Sequence, residues 1–574
     1  AVGHLSGVYT QGMDCVAIGA YSGQTLQGRG AIAIGAYSGS LTQSSYGIAI
    51  GHQAGSGFAN TQALPGIPVG NSAANLFQGS GAVAIGDSAG KFTQGDASIA
   101  VGASAGNLVQ SSYAIAIGQQ AGENYQSSGT ISMGYQAGQY TQGSYSIALG
   151  LSSGQLSQNN ESIAIGSYSA QQQQGTYSIA LGNFSGQTNQ GANSLSIGYQ
   201  SAQQQQGNYS IAIGNQAGQF TQSDYSLAVG YQSGEILQQV YSVAIGYQAG
   251  QTNQGTSSIS MGYQAGQFTQ HESSIAIGYQ SAQTFQGASA VAIGYQAGQM
   301  AQGTNSIAIG SGAGMGFITN GINYAQGNYS VAMGYFAGAA GQGNNTVAIG
   351  YQSGLVYQGQ NSVAIGYNAG TGTYLQLNPI TLIPGVSTGQ NAFAVAIGNS
   401  SGQFNQGTSA VAIGYQSGNN QQGTNTVAVG YQCGFTGQGT NSVAIGYQCG
   451  QTSQGAYSVA VGYQSGSISQ QSSSVSIGYQ SGRTSQSAFS VAVGYQSGAL
   501  NQNTSSVAVG YQCGQSNQGA FSVAMGYQSG ALNQNTSSVA IGYQTGATNQ
   551  GPYSVAVGYQ AGGSGQSTRS VAIG

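Results

Sequence analysis

Charge is almost missing from this sequence. Asp, Glu, Lys and Arg make up 2% of the chain, against roughly 25% in an ordinary soluble protein. The four basic residues are Arg29, Lys91, Arg483 and Arg569. They cannot form the basic patch that neutralises phosphates, which excludes nucleic acid as a partner. All eight acidic residues precede residue 273, and no formal charge lies between Ser273 and Gly482. Tryptophan is absent, and there are five prolines, four cysteines and three histidines. His4, His52 and His271 are too few and too scattered to serve a hydrolytic triad, and no Cys/His spacing suits a metal. Carboxylates distributed over separate segments give no acid/base pair. The glycine-rich run Gly310–Gly316 has no Lys-Ser/Thr after it, so it is not a phosphate loop. The chain is therefore expected to be no enzyme and to carry no cofactor. No stretch approaches the roughly 20 apolar residues of a membrane span, and no basic, then apolar segment opens the chain at Ala1. Both ends fall inside a repeat, so secretion and anchoring elements are expected elsewhere in a longer polypeptide.

What is present is a period. From Tyr457 the sequence reads YSVAVGYQSGSISQQS, SSVSIGYQSGRTSQSA, FSVAVGYQSGALNQNT and onward to SVAIG at Gly574. Counting the glycine that ends each VAIG-type segment as position 0, the anchors number 35 and step by sixteen. Only three steps differ, where extra segments lie at residues 52–69, 311–333 and 367–397. A fixed period of this size marks a stack of small units, none of which buries its apolar face alone. Disordered tracts have no reason to hold Val, Ile and Ala at one phase of a period. The expectation is a single all-β domain over residues 1–574, a parallel β-roll or β-solenoid of about 35 coils. At roughly 4.8 Å per coil its length would be on the order of 170 Å.

Within a coil, positions 12 to 2 read Ser-Val/Ile-Ala-Ile/Val-Gly-Tyr-Gln and alternate small with large, a strand pattern. Val443, Ile445, Val459, Val461 and Ile477 represent the core strand, and position 15 is expected to be buried. A narrow lumen suits the small face and leaves Val and Ile needing cover from outside; alternatively Val and Ile fill the lumen and the Ala/Gly face packs elsewhere. Either way the strand is buried on both sides, which predicts self-association. A second, half-exposed strand is expected around position 6. Position 4 is Gly but Ala at Ala74, Ala170, Ala202 and Ala282, which argues for smallness more than for positive φ.

Position 8 is Gln in every uninterrupted coil, thirty-one times. Gln27, Gln94, Gln206, Gln302, Gln438 and Gln566 sample this column, in which stacked amides are expected to donate and accept along the axis as a structural ladder. Tyrosines at positions 1 and 11 are expected to stack likewise. Cys433 and Cys449 share position 3 one coil apart, within reach of a disulfide, although Ala and Ser fill that column elsewhere and favour a small buried residue. The interrupting segments hold four of the five prolines and are the candidate recognition loops: Phe58, Pro65 and Pro68 in the first, Phe317 and Ile318 in the second, Tyr374, Leu375, Pro379 and Pro384 in the third.

The strand NSVAIG or YSIAIG followed by a small-residue turn resembles the YadA-like head repeats of trimeric autotransporter adhesins, over nearly the whole chain at positions 12 to 0. Similar repeats look familiar from phage and large-virus fibre proteins. The resemblance implies a left-handed parallel β-roll, three chains around one axis, and attachment at a cell surface. The coil here is longer than the family's usual one, and neither a heptad stalk nor a membrane barrel is seen. The functional expectation is a rigid, homotrimeric, extracellular fibre on a cell or virion surface. It would contact a host or neighbouring-cell receptor or glycan, and could extend end to end as a filament. The alternative is a self-assembling, curli-type amyloid-like matrix filament.

Overall fold

Alternation of small and branched residues builds strands, and the sixteen-residue period places each strand on its own copy. In a computed structural model of the chain, which describes residues 1–57, 66–319, 322–372 and 389–574, the described residues contain strands and turns and no helix. They fall into two compact units, Ala1–Ser273 and Ser274–Gly574, built on one plan. In the first unit Ile99, Ala100 and Val101 pair in parallel with Ile115, Ala116 and Ile117. In the second, Val491 to Tyr495 pairs with Val507 to Tyr511 in the same offset. A shorter strand at positions 6 to 8 stacks in a second parallel sheet, as in Thr93–Gln94 against Val109–Gln110 and Leu500 and Gln502 against Ser516 and Gln518.

Each coil closes through left-handed corners. In the coil from Gly494, Gln496 has φ 52°, Gly498 55° and Ser505 56°. A non-glycine residue there costs roughly 1–2 kcal/mol. The corner amides offset that cost with hydrogen bonds to neighbouring coils: Gln496 N–H donates to the Tyr479 carbonyl at 2.8 Å and Gly498 N–H to that of Cys513 at 2.9 Å. Position 4 is thus left-handed throughout, and Ala74, Ala170, Ala202 and Ala282 adopt φ 44–46°. The expectation that this position demands smallness more than positive φ is corrected, because both smallness and handedness govern it. Position 0 is stricter. Gly494 has φ 125°, and a Cβ there would collide with the carbonyl of Gly510, so only glycine fits.

The lumen holds the small face. Ser442, Ala444 and Cys449 are fully buried, and the largest fully buried side chains are glutamines of position 8. Serine hydroxyls bind across it, as Ser153 Oγ donates to the Ala164 carbonyl at 2.7 Å. Val and Ile therefore point outward. Ile445 and Ile477 are 38% and 39% exposed in the single chain, and Val443, Val459 and Val461 are half-buried. The expectation of a buried position 15 does not hold for one chain. These five residues form the strand, but its core-facing members are Ala444, Ala460 and Ser476, because sixteen residues enclose too little space for branched side chains.

Candidate functional surface

Because equal residues stack in register, each outward position becomes a column. At position 1 of the second unit ten tyrosines from Tyr415 to Tyr559 stack ring on ring, at 4.9 Å between Tyr447 and Tyr463 with the planes 4° apart. Tyr209, Tyr225 and Tyr241 stack at position 11 of the first unit. Beside the position-1 rings runs an amide ladder that sequence reasoning missed. Gln432 Nε2 donates to Gln416 Oε1 at 2.8 Å, Gln448 to Gln432 at 3.0 Å, and the pattern continues to Gln560 on Gln544 at 3.0 Å. The signal was in plain view as the recurring Tyr-Gln dipeptide. A further ladder at position 5 starts from a carboxylate: Gln139 donates to Glu123 at 2.8 Å, Gln155 to Gln139 at 2.9 Å. Glu235 begins another, accepting from Gln251 at 2.6 Å. An ionised carboxylate only accepts, so it fits only the end of a ladder that receives.

The YadA head domain repeat model matches the chain at residues 286–313, 325–353, 358–371 and 534–561. The chain carries YadA head domain repeats. No curated protein matches the chain. The matches to the YadA head repeat skip residues 314–324, where strands Phe317–Thr319 and Ile322–Tyr324 form an antiparallel hairpin. Its two strands fall within the eight residues by which this step exceeds sixteen, since Gln326 takes up the position-8 column between Gln302 and Gln342.

Within the coils the position-8 amide works differently from a simple ladder. Gln438 Nε2 donates to the Val427 carbonyl at 2.9 Å and to that of Ser442 at 3.4 Å, tying the two walls of the lumen together. Gln94, Gln302 and Gln566 donate to Val83, Val291 and Val555 in the same way. Amide-to-amide bonds are added in places, from Gln27 to Gln43 at 3.3 Å and from Gln206 to Gln222 at 3.4 Å. The carbonyl end of Gln438 has no hydrogen-bond partner and lies against Gly434, where a Cβ would sit 2.7 Å from it. Position 4 is small because the glutamine fills the space.

Cys433 and Cys449 are free thiols. Each donates to a backbone carbonyl, Cys433 to Gly446 at 2.8 Å and Cys449 to Gly462 at 2.7 Å. The hydrogen bond with Cys449, with burial, holds the Cys433 thiol well above its ordinary range. Among the loop residues, Phe58, Pro65, Tyr374, Leu375, Pro379 and Pro384 lie outside the described residues. Phe317 and Ile318 lie in the first strand of the hairpin. Pro68 is not in a loop. It is buried at position 14 of the strand Ile67–Val69, opposite Ala84. Lacking an N–H, it leaves the preceding strand paired only at Ile50 and Val69. Among the described residues no group of three or more His, Cys, Asp or Glu side chains could hold a metal ion.

Proposed function

We propose that the chain is a structural and adhesive component of an extracellular surface fibre, in which three copies associate through the outward face of positions 13, 15 and 1. The observation that carries this reading is that face itself: Val, Ile and Tyr side chains in register, half-exposed in both units, with almost no charge to oppose association. Apolar stripes of this extent mark interaction sites in soluble proteins. The YadA head repeats support the surface location and the self-association. The Gln and Tyr columns supply rigidity, and the segments that interrupt the repeat supply recognition.

The test is the mass of the purified chain by analytical ultracentrifugation, together with cell binding by beads coated with it. A discrete three-chain particle is expected, and Ile445→Lys with Ile477→Lys, both on the outward face, should shift it toward single chains. A monomeric wild type would overturn the reading, as would open-ended growth, which belongs to a matrix filament.

A further inference from the structure

The hairpin Phe317–Tyr324 does more than absorb extra residues. Its last residue, Tyr324, is 5% exposed and meets Tyr357 edge to face at 5.3 Å between ring centroids. Beneath them Ala339, Ala340, Leu355 and Val356 are buried together, with Met315, Phe336 and Tyr357 packed on them. Apart from this place and Pro68, the buried apolar side chains described are those of alanines and cysteines. The result is an open cleft of about 460 Å³ lined by Tyr324, Tyr357, Gly341, Gly359, Gln360 and Asn391. Gly341 keeps it open. A Cβ there would come within 3.5 Å of the Tyr324 ring and 3.9 Å of the Tyr357 ring.

A cleft of about 440 Å³ at the corresponding coil positions of the first unit, lined by Ser157, Gln173 and Asn189, has no aromatic residue. The cleft at the hairpin thus differs by a pair of rings on an apolar base, Tyr324 from the hairpin and Tyr357 from the strand Val356–Gln358 of a regular coil. The chemistry of the cleft is aromatic and amide. Burial and the hydrogen bond with Tyr324 hold the Tyr357 phenol above its ordinary range, so it stays neutral. No Asp, Glu, Lys or Arg occurs anywhere between Ser273 and Gly482, so nothing here pairs with an ionic ligand.

We propose that this cleft binds a neutral oligosaccharide, a sugar face lying on the Tyr357 ring and its hydroxyls bonding to the amides of Gln360 and Asn391. Its biological sense rests on the adhesive reading above; its geometry does not. The intact chain is to be probed on an array of neutral, sialylated and sulfated oligosaccharides, and the strongest neutral binder titrated by calorimetry. Neutral sugars should bind. Gln360→Ala and Tyr357→Ala should each weaken binding about tenfold or more, and Gln173→Ala, in the cleft without rings, should leave it unchanged. Gln360 is exposed, so its truncation leaves the coil folded. The inference is overturned if no neutral sugar binds, if only sialylated or sulfated sugars bind, or if Gln360→Ala binds as the wild type does. Mass measured on the same sample separates the two readings. A three-chain particle that ignores neutral sugars sinks the cleft alone, and a sugar-binding monomer sinks the trimer alone.

Discussion

The coils from Gly414 to Gly558 and those around the hairpin at 317–324 use one backbone plan to opposite ends. In the first region each column repeats one residue type, giving ten stacked tyrosines and an unbroken glutamine ladder beside them. In the second, eight extra residues leave the period, fold back as a hairpin and bury Tyr324, Leu355 and Val356. Regular repetition yields a surface suited to copies of itself. A site of distinct shape forms where the repetition is interrupted.

The largest expected effect breaks the regular region. Gly494→Ala puts a methyl group into the Gly510 carbonyl at a φ of 125°, and should destabilise its coils by about 3 kcal/mol or more. Hydrogen exchange should show faster exchange over residues 478–526 while the hairpin keeps its protection, because coils interact with nearest neighbours. Gly498→Ala is the contrasting variant. It meets the end of the Gln502 amide and, at 3.2 Å, the Ala492 methyl group at a position where Ala170 and Ala202 already sit, and should cost only about 1–2 kcal/mol.

Next in size, Tyr324→Ala should remove about 3 kcal/mol of local stability and raise exchange over 317–324 without touching the tyrosine stack from Tyr415. Loss of protection in both regions would show that they are one cooperative unit and dissolve the contrast.

The smallest effect concerns pH in the regular region. Burial pushes the Cys513 thiol from 9.0 up to about 11. Its neutral form is favoured in the fold, so its contribution is complete below about pH 9. Between about pH 9 and 11 the unfolded chain loses this proton first, and stability falls by at most about 2.7 kcal/mol before levelling off. Cys513→Ser should abolish that share of the alkaline loss in chemical denaturation followed at each pH, and Ser529 shows that serine occupies this column.

The period, the strand at positions 13 to 15 and the special standing of Gln438 and its equivalents were legible, because each is a repeated choice that only stacking explains. Which face of the strand enters the lumen was not, since Val443-Ala444-Ile445 alternates equally for either orientation and coil circumference decides between them. Positive φ at Gln496 or Ser505 left no trace either; neither residue type announces a left-handed corner, and the hydrogen bonds that hold it come from the next coil. Pro68 misled because a proline beside a length irregularity reads as a loop, whereas the small lumen position accepts its ring. The Gln416–Gln560 ladder was overshadowed by the position-8 column, whose amides turn out to serve the backbone first.

The in-register pairing of like with like also bears on how such a chain changes size. Removing or adding one whole coil brings together partners already matched to each other, so recombination between repeats can alter coil number while leaving every junction sound. An insertion of any other length has no partner waiting in the stack. It must leave the wall, as residues 317–324 do, and in leaving it gives selection an unrepeated surface to work on.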